Sequence, residues 1–245
     1  MFAPKFFGNR TAMSQHSEVA AFILAGGASS RMGRNKGLMK FAGETLIVRT
    51  ARLLKPLVSG LTVIGPMGPY RRLGLHTVPD KIPGVRRMAA YQGPLAGIVT
   101  ALGVTSTPWN LILACDLPYL TGEWIELLLS RALASDAQAF VPRTPRGLEP
   151  LAAVYRRDAY AALAEAFRKG ARKVTDALAM ITVETFALED FGGFAHNDLV
   201  LKNMNTPEDF ESAKEWWSSK EPQKIESLKS LKPLRSRRSA PRRHK

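Results

Sequence analysis

The chain has 245 residues, of which 45% are hydrophobic and 23% charged, and this ordinary globular composition excludes collagenous, low-complexity and wholly disordered proteins. It holds no apolar run of the roughly 18 residues that a membrane helix needs and no evident secretory signal, so we expect a cytoplasmic protein without a membrane partner. Its single cysteine cannot form an internal disulfide. The net charge is +14, but residues 220–245 carry +8 of it, which leaves a mildly basic body.

The first half of the chain alternates short apolar runs with helical patterns. Residues 19–24 (VAAFIL) are apolar throughout, which is typical of a strand covered on both faces, and they lead into a glycine-rich segment. Further strands are predicted at 61–65, 76–80 and 110–115. Helices are predicted from about Thr45 and from Pro94, because the apolar residues that follow each of them recur at helical spacing.

The second half is less regular. It predicts helices at 124–133, 158–168 and 173–180, and strands at 139–142, 151–155 and 181–186. A last helix begins at Thr206, an N-cap residue followed by a proline and two carboxylates that suit the positive end of the helix dipole. Strands that alternate with helices predict an α/β fold with a mostly parallel sheet between two helix layers, which binds ligands at the carboxyl ends of its strands.

The tail after the last helix has a distinct composition. Residues 220–245 hold ten basic and two acidic residues, three prolines and no aromatic residue. Such a segment buries too little apolar surface to offset the entropy lost on ordering. We therefore predict one domain over residues 19–217, a flexible extension over 1–18 and a disordered basic tail over 218–245. A nucleic-acid-binding arm is the alternative for the tail, but we favour a solvated extension because it offers no aromatic ring on which bases stack.

Residues 24–37, LAGGASSRMGRNKG, carry the strongest chemical signal. Gly26 and Gly27 allow close backbone approach, so that amide groups can face a phosphate, while Arg31 and Lys36 supply positive charge. The spacing matches neither a Walker A loop nor GxGxxG. A glycine-rich turn with solvent-facing basic residues is the alternative. We favour a phosphate-binding loop, because the segment directly follows the first strand, where such a sheet places its ligand.

Asp116 lies at the end of the fourth predicted strand, within LACDLPYL. A carboxylate at this edge of the sheet can hold Mg²⁺, which bridges phosphates and offsets negative charge during phosphoryl transfer. The alternative is a strand-end aspartate that caps the following turn. The position of Asp116 favours the metal-binding interpretation.

These segments together resemble one enzyme family. The glycine-rich segment is followed by a GxxLI pattern at Gly43, Leu46 and Ile47, by Asp80, and then in order by GPLAGI, LACDLPYL, EPLAAVYRR and NMNTPEDF. Over residues 19–216 the chain resembles the molybdenum cofactor guanylyltransferase (MobA) family of MobA-like NTP transferases. The resemblance implies a three-layer α/β/α, Rossmann-like nucleotidyltransferase fold. It also implies a Mg²⁺-dependent transfer of GMP from GTP to molybdenum-molybdopterin, with molybdoenzymes or their chaperones as further partners.

The same resemblance implies roles for individual residues. Catalytic roles fall on Arg31 and Lys36, which hold the triphosphate, and on Asp116, which binds the metal. The implied nucleotide contacts are Leu24, Ala25, Gly26, Lys36 and Asp80, and the positions of Gly27 and Asp116 add these two residues to the predicted nucleotide site. Asn203 and Asn205 are implied on the pterin side, where amide groups can both donate and accept hydrogen bonds. From the residues alone, Asp80 can equally be a turn residue after a short strand, and Asn205 can shape the turn before the last helix.

Two positions depart from the family pattern. Asn35 stands where the family often has an acidic residue, which leaves the loop more positive, and Gly65 stands where it often has asparagine near the nucleotide. Base selectivity is therefore less securely implied than phosphate binding. Cys115 is expected to be a small buried hydrophobe, because this reaction needs no enzyme nucleophile.

Alternatives remain for the function. A cytidylyltransferase for the same cofactor, or a sugar-phosphate nucleotidyltransferase, keeps the chemistry and changes the substrate. Gly27 favours the guanylyl members of the family, because cytidylyl members typically have alanine there. The alternative of another class is a non-catalytic nucleotide-binding accessory protein for molybdoenzymes, and the presence of Lys36 and Asp116 argues against it.

Overall fold

A computed structural model describes residues 16–26, 35–41, 43–81, 93–187 and 199–229 of the chain. Its strands are β1 (His16–Leu24), β2 (Lys40–Phe41), β3 (Glu44–Thr45), β4 (Val58–Ile64), β5 (Thr77–Val78), β6 (Trp109–Ala114), β7 (Ala139–Thr144), β8 (Gly147–Leu148), β9 (Ala152–Arg156) and β10 (Val183–Ala187). Its helices are α1 (Leu46–Leu54), α2 (Met67–Arg71), α3 (Pro94–Val104), α4 (Gly122–Leu133), α5 (Tyr160–Arg168), α6 (Val174–Leu178) and α7 (Pro207–Lys229). Every strand and helix predicted above has a counterpart among these elements.

The strands form one large sheet and a separate β2–β3 hairpin. The order in the large sheet is β10-β7-β9-β6-β1-β4-β5, with β8 paired to β7. β1 is parallel to β4 and β6, β4 is parallel to β5, and β7 is parallel to β10. β9 runs antiparallel to both β6 and β7. The sheet is therefore mostly parallel, as predicted, with a reversed strand at β9 that the apolar pattern does not reveal.

The alternation of side chains along β1 separates two hydrophobic layers. Val19, Ala21 and Ile23 belong to a cluster that includes the inner faces of α1 and α4. Phe22 and Leu24 belong to a second cluster, with α3, α5 and α6. β1 is thus covered on both faces, and the three-layer α/β/α arrangement is confirmed.

A third hydrophobic cluster lies outside these two layers, and we call it the C-terminal cluster. It joins α7 to the β2–β3 hairpin and to the segment that follows β6. Its fully or nearly fully buried members are Phe41, Leu46, Tyr119, Met204 and Ala213. The rings of Phe41 and Phe210 meet edge to face with centroids 5.0 Å apart. The cluster therefore packs the last helix against chain segments from the first half of the sequence.

Trp217 attaches α7 to this cluster through two kinds of contact. Its indole Nε1 donates to the carbonyl oxygen of Pro118 at 3.0 Å, and the guanidinium of Arg49 lies over its ring, 3.2 Å from the centroid. Arg49 is only 8% exposed, and burial lowers its pKa to about 10, so it stays charged at neutral pH. The face of the indole gives this poorly hydrated cation a favourable contact.

The first strand and the last helix each extend across a predicted domain boundary. β1 begins at His16, within the extension predicted for residues 1–18, and α7 continues to Lys229, beyond the domain end predicted at residue 217. The helix extends because Lys, Gln, Glu and Leu, which are good helix formers, dominate residues 223–229. Residues 1–15 and 230–245 of the predicted extension and tail lie outside the described residues. None of the helices in the described ranges is long and apolar enough to cross a membrane.

The start of α7 agrees with the predicted N-cap. Thr206 Oγ1 accepts a hydrogen bond from the amide of Asp209 at 3.1 Å, and the Asp209 carboxylate accepts one from the amide of Thr206 at 3.0 Å. This reciprocal pair is a capping box. Burial opposes ionisation of Asp209, but the amides of Asn205 and Thr206 and the nearby Lys202 hold its pKa below the usual value.

Gly65 follows β4 at a point where two backbone segments nearly touch. A Cβ at position 65 would lie 3.0 Å from the carbonyl carbon of Ala25 and 3.2 Å from the amide nitrogen of Gly26. Few real Cβ atoms pack this closely against backbone, so the missing side chain lets the ends of β1 and β4 approach each other. Gly60, within β4, has open space at the same place.

We expect Gly65→Ala to lower the free energy of unfolding by about 1–3 kcal/mol, because the added methyl group forces the two strand ends apart. Gly60→Ala is the matched control in the same strand, and it should change stability little or raise it by up to about 1 kcal/mol. Chemical denaturation of both variants measures the difference. Equal stabilities would show that the contact at position 65 is not tight in solution.

Candidate functional site

The parallel strands end in register at one edge of the sheet. Leu24, the last residue of β1, pairs with Ile64 of β4 and Ala114 of β6, and Ile64 pairs with Val78 of β5. The residues that follow these strands therefore meet along one line, which brings the predicted site residues after β1, β5 and β6 to the same edge. This is the edge at which doubly wound sheets bind ligands.

The predicted contacts Leu24, Ala25 and Gly26 lie at the end of β1. The amide of Ala25 donates to the carbonyl oxygen of Ile64 at 2.8 Å, and the carbonyl of Leu24 accepts from the amide of Cys115 at 3.1 Å. The strand end is thus held from both neighbouring strands. Two further predicted site residues, Gly27 and Arg31, lie outside the described residues.

Lys36 joins three distant parts of the chain at this edge. Its Nζ lies 3.0 Å from Asp116 Oδ2 and 2.7 Å from Asn205 Oδ1. The side chains of Lys36 and Asp116 are each 16% exposed, so their ion pair is partly shielded from water. The carbonyl of Asp116 also accepts from the amide of Met204 at 2.9 Å. Three predicted site residues, Lys36, Asp116 and Asn205, therefore form one hydrogen-bonded group.

Asp80 lies on the other side of β1, after β5. Its Oδ1 accepts from Thr100 Oγ1 of α3 at 3.3 Å, and its Oδ2 lies 3.6 Å from the position that a Cβ on Gly26 would take. Burial raises the pKa of Asp80, and the hydrogen bond from Thr100 offsets part of that rise. The structure thus brings Asp80 next to the predicted contact at Gly26.

A cavity of about 280 Å³ opens between the end of β6 and the start of α6. Its apolar walls include Ala114 and Leu117, which flank Asp116 in the sequence, and its polar side chains are Glu149, Lys173, Thr175 and Asn203. Asn203 therefore lines the cavity, while Asn205, two residues later, contacts Lys36. The two asparagines that the sequence predicted together belong to adjoining parts of the site.

Arg146 holds one wall of this cavity in place. Its Nη2 donates to Glu149 Oε1 at 3.2 Å and to the carbonyl oxygen of Leu201 at 3.0 Å. Thr144 Oγ1 donates to the same Glu149 oxygen at 3.0 Å. The turn between β7 and β8 is thereby tied to the segment that carries Asn203.

Sequence reasoning assigned no role to Glu149, Lys173 or Thr175. The reason is the direction of β9, which pairs antiparallel with β6 so that Ala152 lies opposite Leu113. The beginning of β9, and not its end, therefore lies at the ligand edge, and Glu149 comes with it. Glu149 is the first residue of the EPLAAVYRR segment, so that motif together with the strand direction would have found it, whereas no motif marks Lys173 or Thr175.

Cys115 lies beside Asp116 but has no role in this arrangement. Desolvation by burial, with the charge of Asp116 as a second cause, raises its pKa to about 12. The thiol therefore stays protonated at neutral pH, and it packs against the cluster of α1 and α4. Cys115 is partly buried, and the expectation that the site uses no cysteine nucleophile remains a prediction.

Comparison with known proteins gives three findings. Residues 21–182 match the family described as MobA-like NTP transferase domain. A probable molybdenum cofactor guanylyltransferase of Pelotomaculum thermopropionicum is 33% identical over 198 residues, which covers 80% of this chain and 92% of the relative. A molybdenum cofactor guanylyltransferase of Pseudomonas putida is 34% identical over 189 residues, which covers 76% of this chain and 92% of the relative.

The fold comparison agrees. The crystal structure of molybdopterin-guanine dinucleotide biosynthesis protein A from Archaeoglobus fulgidus superposes with a TM-score of 0.69 at 25% identity. It covers 82% of this chain and 99% of its own. The similarity therefore extends over nearly the whole of that protein.

The raised pKa of Asp80 makes a testable contribution to the pH dependence of stability. Because the folded state binds the proton more tightly, the free energy of unfolding falls as the pH rises from the ordinary value of 3.8 through the raised pKa. Asp80→Asn removes the buried charge, so it should stabilise the protein more at neutral pH than below pH 3.8. Denaturant titrations at both pH values measure this difference. The exposed Asp136→Asn is the control, and an equal effect of Asp80→Asn at both pH values would contradict the assignment.

Proposed function

We propose that this chain, which belongs to the MobA-like NTP transferase family, is a molybdenum cofactor guanylyltransferase. As a nucleotidyltransferase it transfers GMP from GTP to molybdenum-molybdopterin and forms the guanine dinucleotide cofactor. An oxygen of the terminal phosphate of molybdopterin attacks the α-phosphorus of GTP. The bond between the α-phosphorus and the bridging oxygen breaks, and pyrophosphate leaves with the bonding electrons.

The position of Lys36 is the observation that carries this proposal. An ammonium group donates three hydrogen bonds, and two from Lys36 go to Asp116 and Asn205. A third N–H can therefore reach a phosphate oxygen while both contacts persist. The ammonium lies between a strand-end carboxylate and the segment of Asn203 and Asn205, so it supports transfer between a nucleotide on one side and an acceptor on the other.

The nucleotide side of the proposed site is the edge that follows β1 and β5. We assign contacts to Leu24, Ala25, Gly26, Gly27 and Asp80, and charge on the triphosphate to Arg31 and Lys36. Backbone amides at a glycine-rich strand end can approach phosphates closely, which supports this assignment.

The cavity lined by Asn203 supports an acceptor side next to Lys36. Its apolar walls suit the flat body of a pterin, and Lys173, Thr175 and Asn203 offer donors to a phosphate or to ring heteroatoms. The acceptor phosphate is already an anion near neutral pH, since the second pKa of a phosphate monoester is about 6. The reaction therefore needs orientation and charge stabilisation and no general base.

Nucleotidyltransferases of this kind generally use a divalent metal ion, and we propose Mg²⁺. This ion is commonly held by one or two carboxylates, with phosphate oxygens and water as the other ligands. Asp116 fits that donor set, because it places one partly exposed carboxylate after β6, at the edge where the phosphates are proposed to bind. When bound, the ion would offset the negative charge of the phosphates. The cytoplasmic location, the domain bounds of 19–217 and an interaction with molybdoenzymes remain predictions.

A thermal shift series tests the nucleotide specificity. The protein is heated with GTP, CTP, ATP or UTP, each with and without Mg²⁺. Saturation at about 100 times the dissociation constant stabilises the fold by about 2.7 kcal/mol, which is about 5–10 °C for a chain of this size. We expect the largest shift with GTP and Mg²⁺, and a smaller one in the matched variant Lys36→Ala.

The other outcomes are informative. A shift selective for CTP would keep the mechanism and replace the guanylyl assignment by a cytidylyl one. No shift with any nucleotide would contradict the proposed nucleotide site.

Asp116→Asn tests the metal-binding carboxylate. The amide keeps the size of the side chain but loses the charge, so transfer of GMP should fall by about two to three orders of magnitude, the usual loss of an electrostatic stabiliser. Release of pyrophosphate in the presence of molybdopterin measures the rate. Asp158→Asn, which also breaks an ion pair with a basic residue but lies at an exposed site, is the control and should retain activity. Undiminished turnover of Asp116→Asn would remove Asp116 from the mechanism.

A further inference from the structure

Tyr70 is a fully buried tyrosine at the ligand edge that the proposed reaction does not use. It lies in the short helix α2, and its side chain is 0% exposed. Its own carbonyl accepts hydrogen bonds from the amides of Leu73 and Leu75, so its backbone is well anchored. A buried phenol hydroxyl requires hydrogen-bond partners, and one partner of this hydroxyl, Asn35, directly precedes Lys36 in the chain.

The hydroxyl of Tyr70 joins two segments on either side of the glycine-rich residues. It donates to Asn35 Oδ1 at 2.8 Å and lies 3.3 Å from the carbonyl oxygen of Ala25, which follows β1. The hydroxyl has a single proton, so the shorter contact is the stronger hydrogen bond and the longer contact is the weaker branch of a three-centre bond. Tyr70 therefore links the residue before Lys36 to the end of β1.

The same Asn35 oxygen closes a tight turn around Lys36. It accepts a hydrogen bond from the amide of Gly37 at 3.1 Å, so Lys36 is the residue enclosed by the turn. Space here is limited, because a Cβ on Gly37 would lie 3.2 Å from the Tyr70 hydroxyl and 3.5 Å from Asn35 Oδ1. The acceptor that shapes the turn is thus oriented by Tyr70, and the side chain of Lys36 leaves this turn toward Asp116 and Asn205.

We propose that Tyr70 is a positioning residue that holds the turn of Asn35 and Gly37 against the end of β1 and thereby fixes the ammonium of Lys36 at the sheet edge. Its effect on the placement of Lys36 follows from the contacts alone. Its effect on the affinity for a nucleoside triphosphate rests on the function proposed above. Asn35 serves here as a neutral acceptor, which explains how the chain keeps this turn without an acidic residue before Lys36.

The primary test measures the reactivity of Lys36 without any nucleotide. Acetic anhydride acetylates exposed and loosely held lysines, and mass spectrometry after proteolysis gives the rate at Lys36. In Tyr70→Phe the ring stays and the hydroxyl is lost, and we expect Lys36 to react about tenfold faster, as loss of one hydrogen bond implies. Asp116→Asn, which releases Lys36 directly, gives the upper reference.

Tyr155→Phe is the matched control. Tyr155 is also 0% exposed, and its hydroxyl donates to the carbonyl oxygen of Pro150 at 2.8 Å and not to the turn of Asn35 and Gly37. It should lose stability like any variant that removes a buried phenol hydroxyl, yet leave the acetylation of Lys36 at the wild-type rate. An equal acceleration in both variants would mean general loosening and would overturn the proposal.

A double-mutant cycle adds a second criterion. Asn35→Ala removes the acceptor of both hydrogen bonds, so Tyr70→Phe should accelerate acetylation no further in that background. Additive effects, or wild-type acetylation in Tyr70→Phe, would overturn the role of Tyr70. Kinetics then address the reaction, where we expect the KM for GTP to rise about tenfold in Tyr70→Phe with a smaller change in kcat.

The two proposals fail in different ways. Faster acetylation of Lys36 in a protein that binds no nucleotide would keep the positioning role and reject the guanylyltransferase function. The opposite result is also possible. If the wild type binds nucleotide while Tyr70→Phe leaves the acetylation rate of Lys36 and the KM for GTP unchanged, the positioning role is rejected and the function is kept.

Discussion

The hydrogen bonds of the Lys36 ammonium to Asp116 and Asn205 organise the site, because they bring together side chains that are 80 and 169 residues apart in sequence. A lysine head group is strongly hydrated and loses rotamer entropy when it is fixed, so it remains in one place only if its partners are themselves held. Asp116 is held by the end of β6, and Asn205 by the capping box at the start of α7. The rigidity of two separate elements thus determines the position of one charge.

The C-terminal cluster buries apolar side chains that are close in sequence to this polar group. Phe41, Tyr119 and Met204 each lie within a few residues of Lys36, Asp116 or Asn205, and all three side chains are buried in the same cluster. Burial of apolar area favours their association by about 25 cal/mol per Å², without regard to direction. Hydrogen bonds such as that from Trp217 to Pro118 supply the direction. The family match ends at residue 182, so Met204, Asn205 and Trp217 lie in the part of the chain that follows it, whereas the residues of the first half of the sequence that they contact lie within the match.

Much of the fold could be predicted because a buried parallel strand has a local signature. Residues 19–24 are apolar at every position, and β1 is covered on both faces as that pattern implies. The direction of β9 could not be predicted, since apolar alternation is the same in both directions, and the cavity residue Glu149 was missed with it. α2 has five residues, including Gly68 and Pro69, and is too short to show helical periodicity. The role of Tyr70 depends on contacts 35 and 45 residues away, which no local pattern reports.

Because Asn205 lies 169 positions after Lys36, the ribosome adds it to the chain much later. A ribosome adds about 5–20 residues per second, so roughly 8 to 34 seconds pass between the incorporation of Lys36 and that of a residue 169 positions later. During that interval β1, β4 and β6 can pair and fix Asp116, while α7 has not yet been made. The nascent chain therefore acquires its sheet before it acquires a complete site, and the edge proposed to bind phosphate and metal is formed before its last polar partner arrives.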